Sequence, residues 1–242
     1  MSALKAVLFD IDDTLFSTTD FARSARRNAC RAMVSAGLDV PIEDVVSELN
    51  EVVKEFSSNF SHHYDKLLMR MPESAYRGVN PALIVSAGVV AYHDTKFQEL
   101  KPFADVLPFL RALQAAGIRT GIVTHGWTTK QAEKLIRLNL VSLLDPAAIF
   151  ISDQVGISKP NPKLYTLALR GLGCEPSDVL YVGDNLANDI APPKSLGMAT
   201  AWARRAAKPD QDESIEADHT IGDFRELAGI LRDQYDVALA DF

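Results

Sequence analysis

A regular alternation of short apolar runs and longer amphipathic stretches extends from residue 102 to the C-terminal region. The strand-like runs include IRTGIVT, AAIFIS, DVLYVGD and MATAWA, and DHTI is a candidate edge strand before a last helix, FRELAGILRDQY. Strands of about five residues alternating with helices of about ten or more predict βαβ units and a parallel sheet. Because the runs are apolar throughout, we expect helices on both faces. The pattern predicts an α/β fold with a Rossmann-like parallel sheet.

A helical block separates the first strand-like run, VLF, from this alternation. Within it, FARSARRNACRAMVSAGL and IEDVVSELNEVVKEFSSNF have apolar residues at helical spacing, with no strand candidate of comparable strength between them. We therefore expect two domains. Residues 1–15 and 101–242 would form the α/β core, and residues 16–100 an inserted α-helical cap.

Composition narrows the functional classes. The 242 residues carry a formal charge of −7, which argues against general nucleic-acid binding because that needs a basic face. Two distant cysteines argue against a disulfide framework, and MSALKAVLFDID is too soon interrupted by charge for a signal peptide. No run is long and apolar enough for a membrane span. We expect a cytoplasmic protein without nucleic-acid or membrane partners.

Chemistry-bearing residues gather where the predicted strands end. Ligands of open parallel sheets bind at the carboxyl ends of the strands, so side chains at these ends share one edge. In chain order they are Asp10, Asp12, Thr124, Lys159, Asp184 and Asp189. Each has an ordinary alternative: a solvated turn for the acidic pair, an exposed lysine, a hydroxyl that caps a strand end. Their convergence on one edge favours a functional site.

The carboxylates need a positive partner, since like charges at a strand end repel and are costly to desolvate. Asp10, Asp12 and Asp184 offer hard oxygen ligands, by side chain or backbone, of the kind Mg²⁺ prefers. Such an ion would also attract a phosphate to an acidic edge. Lys159, in a loop before a helix, and the Thr124 hydroxyl are suited to hold phosphate oxygens.

Four segments, DIDDT, IVTHG, SKPNP and GDNLAND, resemble in order and spacing the four motifs of the haloacid dehalogenase superfamily of aspartate-nucleophile hydrolases. The helical insert is similar to the family's helical cap of the first type. The resemblance implies that Asp10 attacks phosphorus to form an aspartyl-phosphate and that Asp12 acts as acid, then base. It also implies that Mg²⁺ is held by the Asp10 carboxylate, the Asp12 backbone carbonyl and Asp184.

The remaining motif residues have supporting roles in this family. The resemblance implies that Thr124 and Lys159 bind the transferring phosphoryl group and that Asp189 supports the metal site indirectly. His125 stands where many relatives carry Asn, so it is a candidate contact to the phosphate or the leaving group, or a local cap. Asp13 fills a variable position and receives no chemistry.

Two further features distinguish this sequence. A Pro-Pro pair follows Asp189, and because prolines are tolerated only in the first turn of a helix, a new helix should begin near Pro192. In the insert, residues 57–70 carry paired histidines between helical stretches, which suits a recognition loop. His62 and His63 are candidate substrate contacts there, although solvated surface positions are the more ordinary reading.

These features predict a Mg²⁺-dependent phosphatase that hydrolyses a small phosphorylated metabolite, as a monomer or a homodimer. A sugar-phosphate mutase of the same superfamily remains an alternative, since it shares the motifs and the cap. A 2-haloacid dehalogenase is disfavoured because that chemistry needs no metal and usually lacks an acid at the Asp12 position. A phospho-acceptor regulatory module would lack the large helical insert.

Overall fold

The computed structural model describes residues 4–58 and 60–242, and the chain divides into two compact units. The first unit comprises Met1–Thr18 and Lys101–Phe242, and the second comprises Thr19–Leu100. None of the helices formed by the described residues contains an apolar segment long enough to cross a bilayer.

Six strands form a single sheet in the first unit. They are β1 (Ala6–Phe9), β2 (Arg119–Thr124), β3 (Ile149–Ile151), β4 (Val179–Gly183), β5 (Ala199–Ala203) and β6 (His219–Ile221). Their order across the sheet is β3-β2-β1-β4-β5-β6, and every neighbouring pair is parallel. The order reverses at β1, so the carboxyl ends of β1, β2 and β4 meet at the point where such sheets bind ligands.

Ten α-helices occur among the described residues. They are α1 (Thr18–Ser35), α2 (Ile42–Phe56), α3 (His63–Arg70), α4 (Pro81–Glu99), α5 (Val106–Ala115), α6 (Thr128–Arg137), α7 (Ser152–Val155), α8 (Pro162–Leu172), α9 (Ala191–Ser195) and α10 (Phe224–Tyr235). Short 3₁₀ turns span Glu73–Tyr76, Val141–Leu143, Pro146–Ala148 and Pro176–Asp178, and a π-helical turn spans Leu186–Ile190.

The strands are as buried as their apolar sequences predict. Every residue of β1 and β4 is buried, and β2 is buried except at its first residue. A hydrophobic cluster joins Leu8 and Tyr181 on the sheet to Leu164 and Ala168 on α8. The predicted α/β parallel sheet with an inserted helical domain is confirmed, including the edge position of β6.

The Pro-Pro pair lies where the sequence places a new helix. Helix α9 begins at Ala191, so Pro192 and Pro193 occupy its first turn, where their missing N–H groups break no helical hydrogen bond. The π-helical turn Leu186–Ile190 precedes it and holds Asp189. The prediction that the helix starts afresh near Pro192 is confirmed.

The second unit has its own apolar core, with α1 residues Met33 and Ala29 and α2 residues Val45 and Leu49 among its buried side chains. One interpretation of its sequence is wrong. The stretch expected to be a recognition loop, residues 57–70, contains the helix α3 from His63 onward. The helix α3 has a short apolar repeat, since Tyr64, Leu67 and Leu68 lie at positions i, i+3 and i+4 and are all buried.

Candidate active site

Three carboxylates converge beyond the ends of two adjacent strands. Asp10 directly follows β1, and its N–H continues the ladder by donating to the Val182 carbonyl at 2.9 Å. Asp184 directly follows β4, and Asp189 lies one short turn later. One carboxylate oxygen from each of Asp10, Asp184 and Asp189 lies within 4.8 Å of the others. All three residues are buried.

Gly183 makes this convergence sterically feasible. A Cβ built on Gly183 would lie 2.4 Å from Cβ and 2.5 Å from Cγ of Asp189, closer than any side chain tolerates. The π-helical turn brings Asp189 back over the strand end, where its Oδ2 accepts a hydrogen bond from the Asn185 N–H at 3.1 Å. The Gly-Asp pair of the sequence is therefore a packing requirement of the site.

Lys159 is the cation at the centre of the cluster. Its Nζ lies 2.6 Å from Asp10 Oδ1, 2.6 Å from Asp189 Oδ1 and 2.8 Å from the Tyr181 hydroxyl. Only 3% of the lysine side chain is exposed. The Tyr181 hydroxyl in turn donates to the Val123 carbonyl at 2.8 Å, so β2 and β4 both anchor the lysine.

The electrostatics of the cluster show excess negative charge. Burial, reinforced by the neighbouring carboxylates, raises the pKa of Asp10 to about 7 despite the attraction of Lys159. Burial and the charges of Asp189 and Asp10 raise the pKa of Asp184 to about 8. One lysine thus does not compensate three carboxylates, and a second cation would favour their ionised forms.

The donor set fits a divalent cation. Carboxylate oxygens are the hard ligands that Mg²⁺ and related ions take, and three are available within one ion's reach. Asp189 is already engaged by Lys159 and by the Asn185 amide. The Asp184 carboxylate, by contrast, accepts no hydrogen bond from any residue that the structure describes, so its lone pairs are available for coordination.

Thr124 and His125 lie at the end of β2. Thr124 is fully buried, and its Oγ1 accepts a hydrogen bond from Gln131 Nε2 at 3.1 Å, which leaves the hydroxyl proton for an incoming acceptor. His125 is exposed, and its Nδ1 lies 2.7 Å from Oγ of Ser158, the residue before Lys159. This contact connects the loop after β2 to the loop that carries the lysine.

Asp12 lies apart from the acidic cluster and has its own partners. Lys134 Nζ contacts both carboxylate oxygens, at 2.6 and 2.7 Å. Gln131 Nε2 donates to Oδ2 at 3.0 Å, and Thr18 Oγ1 donates to Oδ1 at 2.8 Å. Burial alone would raise the pKa of Asp12, but Lys134 and Gln131 hold it below its usual range.

His62 and His63 lie in the second unit, at the start of α3. His62 Nδ1 lies 3.5 Å from Asp65 Oδ2, and His63 Nε2 lies 2.8 Å from the Ser57 carbonyl oxygen. Both rings contact the edge or face of Phe60, with centroids 5.8 and 5.5 Å apart. These contacts are local, and their assignment to substrate recognition stays a prediction.

Comparison with known proteins identifies the family. The model of the haloacid dehalogenase-like hydrolases matches residues 4–197. This chain belongs to that family.

Several relatives of this hydrolase are similar over nearly their whole length. It is 44% identical over 238 residues to the glyceraldehyde 3-phosphate phosphatase of Methanopyrus kandleri, covering 95% of this chain and 98% of that protein. The glyceraldehyde 3-phosphate phosphatase of Methanocaldococcus jannaschii is 34% identical over 229 residues, covering 95% and 97%. The crystal structure of a HAD phosphatase from Thermococcus onnurineus superposes with a TM-score of 0.66 at 24% identity, covering 94% and 98%.

Some residues of the hydrolase's site lie outside the four motifs. Lys134 and Gln131 lie on α6, three residues apart and therefore on one helix face. Neither residue has a distinguishing sequence signal, because the burial of Gln131 and the contacts of both residues with Asp12 are visible only in the structure. Tyr181, in the middle of an apolar strand, carried no such signal.

Two more residues hold the backbone of Asp184. Trp202 Nε1 and Gln211 Nε2 each donate to the Asp184 carbonyl at 2.8 Å, and the Gln211 Oε1 accepts from the Leu186 N–H at 2.6 Å. The polar segment that contains Gln211 reads as an ordinary surface loop in the sequence. Its tie to the acidic cluster is visible only in three dimensions.

Asp13, to which the sequence assigns no chemistry, shapes the backbone. It adopts a left-handed conformation with φ +56° and its Oδ1 accepts from the Thr18 N–H at 2.8 Å. Aspartate tolerates this conformation better than most residues because its side chain bonds locally. It fixes the turn that follows Asp12.

Proposed function

We propose that this haloacid dehalogenase-like phosphatase hydrolyses a small phosphomonoester, with glyceraldehyde 3-phosphate as the first candidate, through an aspartyl-phosphate at Asp10. The observation that carries the proposal is the contact of Asp10 with Lys159 at 2.6 Å inside the group of three carboxylates. Relatives that are 44% and 34% identical are named glyceraldehyde 3-phosphate phosphatases, which supports the choice of substrate.

The metal is assigned as Mg²⁺. The Asp10 carboxylate, the Asp12 backbone carbonyl and Asp184 would hold it, with Asp189 supporting the site through Lys159 and Asn185. When bound, the ion would neutralise the carboxylates and offset the charge of the substrate phosphate.

In the first step, a carboxylate oxygen of Asp10 forms a bond to phosphorus while the bond to the sugar oxygen breaks. Asp12 transfers a proton to that leaving oxygen from its protonated form, so the proposal requires substrate binding to raise the pKa of Asp12 above its lowered value in the substrate-free protein. Lys159 and the free hydroxyl proton of Thr124 bind the phosphoryl oxygens and stabilise the charge that they carry. Pairing with Lys159 keeps Asp10 within the site against the repulsion of its neighbours.

In the second step, Asp12, now ionised, takes a proton from water as the water oxygen attacks phosphorus. The bond between phosphorus and Asp10 breaks, phosphate leaves, and the Asp10 carboxylate is restored. The residues of the second unit, including His62 and His63, are assigned to a cap that selects the leaving group, as lids commonly do.

The test is phosphate release from a substrate panel by the wild type and by Asp10→Asn, with Mg²⁺ and with a chelator. The panel comprises glyceraldehyde 3-phosphate, glycerol phosphate, phosphoglycolate, hexose phosphates, nucleotides and an aryl phosphate. We expect glyceraldehyde 3-phosphate to be preferred and the variant to lose about 10³-fold or more in kcat.

The matched control is Asp233→Asn, which changes an exposed carboxylate on α10 and should leave hydrolysis unchanged. Full activity in chelator would contradict the metal assignment, and full activity of Asp10→Asn would contradict the nucleophile. Conversion of a hexose 1-phosphate to its 6-phosphate, without phosphate release, would instead favour the mutase.

A further inference from the structure

The side chain of Lys134 is directed at Asp12 and not at the acidic cluster. Its Nζ contacts both oxygens of the Asp12 carboxylate, at 2.6 and 2.7 Å. An ammonium that contacts both oxygens restricts rotation of the carboxylate more than a contact to one oxygen would. Thr18 is a second donor and bonds Oδ1 at 2.8 Å.

This ion pair is not an ordinary surface pair. Only 21% of the Lys134 side chain and 30% of the Asp12 side chain are exposed. The lysine also lies against the ring of Phe16, with Nζ 5.8 Å from the centroid, and Phe16 is buried. The position of the ammonium is therefore fixed by packing as well as by charge.

Gln131 extends the same contact toward the phosphoryl-binding residues. It lies one helical turn before Lys134, and its side chain is 2% exposed. Its Nε2 is 3.0 Å from Asp12 Oδ2 and 3.1 Å from Thr124 Oγ1, and it also contacts the His125 carbonyl. One amide thus connects the assigned proton donor to the assigned phosphate ligand.

Proton transfer depends closely on the position of the donor. A general acid or base must lie within hydrogen-bond reach of the reacting oxygen, and displacement by about 1 Å can cost about 10²-fold in rate. A half-buried aspartate without fixed partners would sample several rotamers. We propose that Lys134, together with Gln131, is a positioning residue that orients the Asp12 carboxylate for proton transfer. This inference rests on the role of Asp12 in the proposed function.

The experiment compares leaving groups. Phosphoryl transfer from glyceraldehyde 3-phosphate expels an alkoxide and needs the proton of Asp12, whereas a nitrophenyl ester expels a stable anion and needs it far less. We expect Lys134→Met to lower kcat/KM about 10-fold or more for glyceraldehyde 3-phosphate and by less than about 3-fold for the nitrophenyl ester. Arg137→Met removes a cation from the same helix and should change neither value.

Lys134→Met in an Asp12→Asn background tests whether Lys134 acts through Asp12 or in another way. If Lys134 acts through Asp12, adding Lys134→Met to Asp12→Asn should change kcat/KM by less than about 2-fold. Lys134→Arg, which keeps the charge, should keep most of the wild-type preference between the two leaving groups. The melting temperature of each variant establishes that it is folded, and Lys134→Gln replaces Lys134→Met should the latter not fold.

The outcomes distinguish this inference from the proposed function. Equal losses for both esters, or a full loss that persists in the Asp12→Asn background, would overturn the positioning role of Lys134. Unchanged hydrolysis of glyceraldehyde 3-phosphate by Asp12→Asn alone would overturn the proposed role of Asp12 itself. A selective loss that disappears in the Asp12→Asn background is the result expected.

Discussion

The charge of the buried Lys159 side chain depends on the carboxylates around it. Desolvation of a buried ammonium disfavours its charge, yet the carboxylates of Asp10 and Asp189 raise the pKa of Lys159 above its ordinary value. The lysine therefore remains charged in a site where 3% of its side chain is exposed. Removing it would leave two buried carboxylates facing each other without a cation.

Lys159→Met should therefore destabilise the protein most when no metal is present. We expect the free energy of unfolding in chelator to fall by about 3 kcal/mol or more, because breaking a buried ion pair leaves uncompensated charge. Mg²⁺ should restore part of the loss by supplying the missing positive charge. Urea denaturation in chelator and in Mg²⁺ measures both effects.

The control is Lys163→Met, which removes an exposed lysine on α8 and should change the free energy of unfolding by less than about 0.5 kcal/mol. Equal stability of Lys159→Met and the wild type in chelator would contradict the ion-pair account.

The residues that line the strand ends could be predicted from the sequence, but the side chains that hold them in place could not. Asp10, Lys159 and Asp189 could be selected because the sequence predicts their positions at strand ends or in loops. Carboxylates and a lysine at one sheet edge also suit binding of a metal ion and a phosphate. Lys134 and Gln211 could not, because their contacts depend on how a helix and a loop fold back onto the sheet edge.

At the scale of elements, the loop after β5 supports the turn after β4. Gln211 bonds the carbonyl of Asp184 and the N–H of Leu186, so one amide fixes both ends of the segment that presents the Asp184 carboxylate. Trp202 adds a second donor to the same carbonyl. Groups that orient a metal ligand commonly contribute to affinity without touching the ion.

Gln211→Ala should accordingly weaken Mg²⁺ binding by about 10-fold while the metal-free protein keeps nearly its original stability. The readout is the melting temperature as a function of Mg²⁺ concentration, which reports binding independently of catalysis. Glu213→Ala, an exposed change in the same loop, should leave the Mg²⁺ dependence unaltered. An unchanged dependence in Gln211→Ala would show that the loop does not hold the Asp184 segment.

The elements of the core could be predicted because most of the strands are largely apolar and some helices have clear end signals, as in α8, which begins at Pro162 and is followed by Gly173. The predicted last helix and α10 share the bounds Phe224–Tyr235. Helix α3 was missed because eight residues with polar flanks give only one apolar repeat. The π-helical turn that carries Asp189 has no local sequence signal, and it places Asp189 close to Gly183.

For the whole molecule, the acidic cluster links stability to pH. The pKa values of Asp10 and Asp184 rise from an ordinary 3.8 to about 7 and about 8. Between these limits the folded chain binds more protons than the unfolded chain, so the contribution of both groups is complete below about pH 4. It is lost as the pH rises through about 7 and 8.

In chelator, we therefore expect the free energy of unfolding of the wild type to fall steadily between pH 5 and pH 8, by about 1.4 kcal/mol per pH unit for each of the two groups while the pH is below its folded-state pKa. Asp184→Asn removes one of the titrating groups and should reduce this slope, whereas Asp233→Asn should not. Mg²⁺ should flatten the wild-type curve, since a bound cation keeps the carboxylates ionised. Urea denaturation across this pH range gives the slopes; stability that rises with pH in chelator would contradict the assignment of buried, proton-binding carboxylates.

The proposed function depends above all on Asp10 accepting the phosphoryl group. The most direct measurement is to quench the enzyme during turnover of glyceraldehyde 3-phosphate, reduce any acyl phosphate with borohydride and sequence the peptide VLFDIDDTLF by mass spectrometry. The reduction converts an aspartyl-phosphate to homoserine and releases phosphate. We predict homoserine at position 10 alone, formed only with substrate present. Turnover without modification of Asp10, or modification at Asp12 in its place, would contradict the account.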